Sequence, residues 1–122
     1  MSSSRWMASA LMLLAAVTLG GASAIHFGLV LDDRFAGAAV PEAVLGAILF
    51  AGWLALVVGG PNMRAVALGA IILALVGTIY GLSVTLGSAR TGDVAYHFTL
   101  LAMLLGGAAL LAIPHRAPVT SA

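Results

Sequence analysis

Polar charge falls along this chain in a few narrow clusters, and nearly everything between them is apolar. The charged residues are Arg5, Asp32, Asp33, Arg34, Glu42, Arg64, Arg90, Asp93 and Arg116. Residues 6–31, 43–63, 65–89 and 94–115 contain no Asp, Glu, Lys or Arg. A helix crosses the hydrocarbon of a bilayer with about 20 apolar residues, so each run suffices for one crossing. None of the four shows the polar face, at a period of about 3.6, that a surface helix of a soluble protein needs. The pattern predicts an all-α integral membrane protein with four transmembrane helices, at about 6–31, 42–58, 65–87 and 94–113.

The punctuation between the runs agrees. Pro41-Glu42 reads as the start of the second helix, a proline in the first turn followed by an acid facing the positive end of the helix dipole. Gly59-Gly60-Pro61-Asn62 breaks the chain after that helix. Thr91 suits the N-cap of the fourth helix with Asp93 in its first turn, and Pro114 suits its end. Residues 1–4 and 115–122 read as flexible tails around a single transmembrane domain. Short connections place successive helices antiparallel, in an up-down-up-down bundle.

Charge gives an orientation. Arg5, Arg64 and Arg116 fall on the side of both termini, whereas Arg34 and Arg90 fall on the other with all four acids. The positive-inside rule then places both termini in the cytoplasm, with a margin of one arginine. All five cations are Arg in a chain rich in Ala and Gly, which points to a GC-rich bacterial genome and so to a bacterial plasma membrane. The formal net charge of +1 and the lack of a basic cluster speak against nucleic acid as a partner. With no cysteine, thiol chemistry and thiolate metal sites are excluded.

One stretch reads two ways. Ala22-Ser23-Ala24 follows Arg5 and an apolar segment, as a signal-peptidase site would. The apolar run nonetheless continues from Ile25 to Leu31, so a retained first helix is the preferred reading and cleavage the alternative. In both cases the chain emerges at Asp32.

Small residues recur at helical spacing. Ala16, Gly20, Ala24 and Gly28 form one stripe, and Ala43, Ala47, Ala51 and Ala55 form another. Gly77 and Gly81 make a GxxxG pair. Such stripes let helix backbones approach closely in lipid, so Gly20, Ala24, Gly28, Gly77 and Gly81 are expected at helix contacts, in one bundle or in a homo-oligomer. A weak echo at an offset near fifty-three pairs Phe27-Gly28-Leu29 with Tyr80-Gly81-Leu82, Glu42 with Asp93 and Pro61 with Pro114, as a duplicated hairpin would.

The candidate chemistry gathers in one layer. In a helix reaching residue 31, His26 lies about 7 Å below the outer end, and His97 lies about 6 Å beyond Asp93. Glu42 and Tyr80 belong to the same level. Ionisable groups inside a membrane segment are costly unless paired, so His26, His97, Glu42, Asp93 and Tyr80 form the candidate outer polar site. Each also has a plainer reading. Glu42 and Asp93 complement helix dipoles, His97 bonds Asp93 one turn earlier, and His26 makes an interhelical hydrogen bond.

Three functions remain open. The first is a non-enzymatic accessory subunit or small permease, acting within the bilayer or in a larger membrane complex. The second is a haem or divalent-metal protein using His26 and His97 with Glu42 or Asp93, although no diagnostic motif accompanies them. The third is a proton-coupled transporter in which His26 or Glu42 titrates. Ser83 lacks the second glycine of a nucleophile elbow, and no phosphate loop or zinc motif is present, so no enzymatic activity and no resident cofactor are expected.

Overall fold

Why four charge-free runs become four helices of nearly equal length is visible at their ends. A computed structural model describes residues 2–87 and 90–113. It contains α1 (Ser3–His26), α2 (Ala36–Val58), α3 (Met63–Thr85) and α4 (Thr91–Ala112). All four are long and apolar enough to cross a membrane. The expectations for Pro114 and for a flexible tail over 115–122 lie outside the described residues.

Each helix packs against the next, and α4 closes the ring against α1. Cross-helix hydrogen bonds fix their directions. Arg5, near the start of α1, donates from a terminal guanidinium nitrogen to the carbonyl of Leu56 near the end of α2, at 3.4 Å. Arg64, at the start of α3, donates to the carbonyl of Ile113 just beyond α4, at 3.3 Å. Neighbours are therefore antiparallel. Arg5, Arg64 and both ends of the described chain share one end of the bundle, here the terminal end. Asp32, Asp33, Glu42 and Asp93 occupy the opposite, acidic end.

The core is narrow and built from slim pieces. Met12, Leu49, Leu56, Ile71, Leu100 and Leu104 are sealed inside it, and Ala8, Ala15, Ala67 and Ala74 expose nothing. Larger apolar side chains point outward instead, among them Val17, Phe50, Leu54, Ile72, Val76, Phe98 and Leu105. An apolar exterior over close-packed small residues suits helices that gain from van der Waals contact rather than from escaping water.

α1 begins at Ser3, inside the stretch read as a tail, and α4 begins at Thr91 with Arg90 as its N-cap; two other helix ends differ more from the sequence reading. α1 stops at His26, five residues early. The Gly28 N–H bonds the carbonyl of Ile25 at 2.8 Å and the Leu29 N–H bonds that of Ala24 at 3.0 Å, with Gly28 at φ +75°. This is a Schellman ending, which satisfies carbonyls that a helix terminus otherwise leaves free. Gly28 is thus a helix stop and not a member of a packing stripe. Gly28→Ala is expected to destabilise the fold by about 1 kcal/mol, because only glycine adopts the left-handed region without penalty. A thermal melt in mild detergent, set beside Gly87→Ala, where an added methyl meets open space, checks this.

α2 starts at Ala36, six residues early, with Pro41 inside it. The Phe35 N–H is tied to the carbonyl of His26 at 3.0 Å, and the Phe35 carbonyl receives the N–H groups of Ala38 and Ala39. That anchor starts the helix before the proline does. Pro41 brings no N–H, so the Gly37 carbonyl loses its usual intrahelical donor. Glu42 is consequently not in the first turn, and the dipole reading of this residue does not hold.

The packing stripes also resolve differently. Ala16 is buried and Ala24 half-buried; a methyl added at Gly20 meets nothing, yet the Gly20 backbone lies at the α1–α2 contact, 3.4 Å from where a methyl on Gly46 would sit. Ala43, Ala47 and Ala51 face outward. The close approaches of α2 are made by Gly46, whose added methyl would lie 3.3 Å from the carbonyl of Ala16, and by Gly52, where it would lie 2.6 Å from the methyl of Ala70. In a helix so rich in small residues every face carries a stripe, and the neighbours decide which one is used. Gly77 and Gly81 do sit at contacts, against Leu45 and His97 respectively. The proposed repeat is not carried by the structure, since Phe27-Gly28-Leu29 ends a helix whereas Tyr80-Gly81-Leu82 lies inside α3.

Candidate functional site

The acidic end is organised around two hydrogen bonds, one helical turn apart. Ser23 and His26 lie three residues apart on α1, and Ala39 and Glu42 three apart on α2, so the pairs face each other as two rungs. Ser23 Oγ donates to the Ala39 carbonyl at 2.7 Å. His26 Nδ1 and Glu42 Oε2 are 2.7 Å apart, with each residue 7% exposed. Ionised Glu42 accepts this bond from the imidazole, and protonated Glu42 donates it to the ring nitrogen. In either state the bond holds a proton between two buried groups.

Glu42 has a second environment. It lines a cavity of about 260 Å³ between α2, α3 and α4, whose walls include Leu45, Thr78, Gly81, Tyr96, His97 and Leu100. His26 is not among the lining residues and stands behind Glu42. The cavity is largely apolar with a few polar groups converging on it, which is the usual composition of a small-molecule site, although at the small end of the size range. One of those groups is unpartnered among the described residues. The hydroxyl of Thr78, a residue only 3% exposed, is enclosed and makes no hydrogen bond, whereas the enclosed Tyr96 hydroxyl lies beside the Glu42 carboxyl. A buried hydroxyl without a partner costs about 1–3 kcal/mol, so most native structures avoid it.

His97 is fixed by its own helix. Its Nδ1 lies 2.6 Å from the carbonyl of Asp93. A carbonyl only accepts, so Nδ1 carries the proton and Nε2 is the acceptor of the neutral ring. Nε2 lies directly against Gly81, where no larger residue fits in this arrangement. Tyr96 meets the same imidazole edge-on, with ring centres 5.0 Å apart.

A lid of charge covers this layer. The Arg90 guanidinium holds Asp33 in a two-point contact, Nη2 to Oδ2 at 2.6 Å and Nη1 to Oδ1 at 3.2 Å, and its Nε holds Asp93. The same guanidinium lies 5.6 Å from the centre of the Phe35 ring. Phe35 also meets His26 edge-on at 5.9 Å. Arg90, Phe35, His26 and Glu42 therefore make a continuous chain of contacts. Arg90 holds the Asp33 carboxyl below the usual aspartate range, and the two acids raise Arg90 in turn.

A pH prediction follows with a definite sign. A carboxyl with a lowered folded pKa stabilises the fold at pH above its ordinary value, and that contribution disappears as pH falls through the folded one. Hydrogen-exchange protection of residues 27–35, taken relative to the intrinsic amide rate at each pH, is expected to fall in strong acid and in high salt. Asp33→Asn is expected to show the lowered protection already at neutral pH.

The sequence-derived site is thus only partly one site. Glu42 and His97 line the cavity, His26 backs it, and Asp93 serves the lid with its carboxylate and His97 with its carbonyl. Tyr80 lines the cavity rim but is 72% exposed. His97 does not bond the Asp93 carboxylate as expected, because Arg90 occupies it. Sequence reading missed Thr78, Tyr96 and Phe35. Thr78 carried a signal, as a hydroxyl one turn from Glu42's level inside an otherwise apolar run; Phe35 carried none before the start of α2 was known. Among the described residues no three His, Asp or Glu side chains gather as a metal-binding group. No family model matches the chain, and no curated protein or solved structure is significantly similar to it, which leaves the chemistry of this site as the ground for a functional reading.

Proposed function

We propose that this chain is a multi-pass protein of a bacterial plasma membrane, with both termini cytoplasmic, that works without catalysis as a small permease or an accessory subunit of one. Its outer polar layer binds a small, mostly apolar molecule with one hydrogen-bonding head. The observation that carries this reading is the enclosed, unpartnered hydroxyl of Thr78, in a largely apolar cavity that Glu42 and Tyr96 also line. A ligand head that accepts from the Thr78 hydroxyl removes the cost of burying that hydroxyl without a partner. The lipid-facing exterior supplies such molecules laterally.

The His26–Glu42 pair makes the permease proton-linked. A ligand head that bonds the Glu42 carboxyl changes which of the two partners holds the shared proton, and ligand and proton then move together. Proteoliposomes loaded with a pH-sensitive dye and exposed to an alkanol, a phenol, an aryl ketone and a fatty acid test this. At least one compound is expected to drive a pH change that wild type shows and Glu42→Gln lacks, with helical content unchanged. Binding without flux would leave the accessory-subunit form. Neither binding nor flux across the four classes would overturn the reading.

A further inference from the structure

The terminal end carries a second cavity, and its chemistry is opposite to that of the first. It has a volume of about 180 Å³ and is lined by Arg5, Gly60, Asn62, Arg64, Leu110 and Leu111. No acidic side chain belongs to this end: the four in the sequence are Asp32, Asp33, Glu42 and Asp93, all at the other. Among the described residues the two guanidiniums meet no carboxylate, and each bonds one backbone carbonyl, Arg5 to Leu56 and Arg64 to Ile113. A guanidinium has five N–H groups, so most of its donors remain available. Among the described residues the enclosed Nε of Arg5 has no partner.

The backbone adds to the positive side. α3 begins here, with Asn62 at φ 70° and no side-chain cap on the first-turn N–H groups. Uncapped N–H groups at a helix start attract anions. The floor of the cavity is Leu110 and Leu111 of α4, which is apolar. Two forks of donors and a helix start above a leucine floor fit a phosphate diester that continues into hydrocarbon. Arginine is the side chain suited to planar, two-point recognition of phosphate.

We propose that this cavity binds the phosphate of an anionic lipid headgroup, held between Arg5 and Arg64. The inference rests on the membrane reading above but not on the outer ligand site, which lies at the other end. The lipid supplies the counter-charge that the fold omits, and it ties the start of α1 to the start of α3 from outside the chain. Free phosphate offers the same oxygens without the tail, and the leucine floor favours the lipid.

The test is native mass spectrometry of the full chain released from nanodiscs of phosphatidylglycerol and phosphatidylcholine in equal amounts. Wild type is expected to retain phosphatidylglycerol about thirtyfold over phosphatidylcholine, the preference that two arginines near a charged surface supply. Arg5→Gln with Arg64→Gln is expected to abolish the preference, and Arg5→Lys with Arg64→Lys to keep part of it. Should the glutamine variant fail to fold, wild type decides alone: equal retention of the two lipids overturns the proposal. Inorganic phosphate that strips the lipid at millimolar levels would assign the site to the free anion instead. Resistance of the protein to alkaline carbonate extraction from membranes reports the membrane reading separately, so the two can fail independently.

Discussion

Glu42→Ala is expected to lower the stability of the folded bundle by about 2 kcal/mol, the cost of leaving a buried imidazole without its hydrogen-bond partner. Interhelical hydrogen bonds in membranes average only about 0.6 kcal/mol, because the unfolded chain in lipid also finds partners. This bond should exceed the average. Both groups are 7% exposed, Phe35 closes one side of the imidazole, and no water channel is needed to describe their contact. Unfolding in mixed micelles of mild detergent and dodecyl sulfate measures it. His26→Ala should cost at least as much, since it strands a carboxyl rather than an imidazole. The double variant should cost clearly less than the two singles together, by about 1 kcal/mol or more, as coupled neighbours do. Additive costs would mean the pair does not act as a unit.

Gly52→Ala has a similar expected size and a different cause. The new methyl would lie 2.6 Å from the Cβ of Ala70 on α3 and 3.2 Å from the end of Met12 on α1. Met12 can bend away, but Ala70 has no torsion to turn, so α2 and α3 must separate. Overpacking of this kind costs about 1–3 kcal/mol. Ala70→Gly in the Gly52→Ala background removes the obstructing methyl and should recover most of the loss, whereas Ala70→Gly alone should not stabilise. The same unfolding assay reads both. An unrescued Gly52→Ala would place the strain elsewhere than at this contact.

These two positions also show what the sequence could and could not disclose. The four spans are legible because hydrophobicity over about twenty residues depends on no partner. Their ends are less so. Gly28 is a helix stop and a packing glycine by the same letter, and only the bonds from Gly28 and Leu29 back to Ile25 and Ala24 decide between them. Pro41 marks a helix start when nothing earlier anchors the chain, but Phe35 bonded to His26 does so first. That shift moved Glu42 from a solvated first turn into the interior, beside His26. The polar layer was legible as a level, because depth follows from counting residues. Which members touch was not, since rotation about each helix axis is set by packing, and packing turned on Gly46 and Gly52 rather than on the alanine stripe.

The distribution of polar ties has a consequence for how the protein is made. Arg5 to Leu56, Ser23 to Ala39 and His26 to Glu42 all close within residues 2–58. Arg64 to Ile113 and His97 to Asp93 close within residues 63–113. Each hairpin thus holds the partner of its own buried histidine and can satisfy it before its sister has been synthesised. Arg90 then reaches Asp33 across the seam, joining the halves by an ion pair at the acidic end.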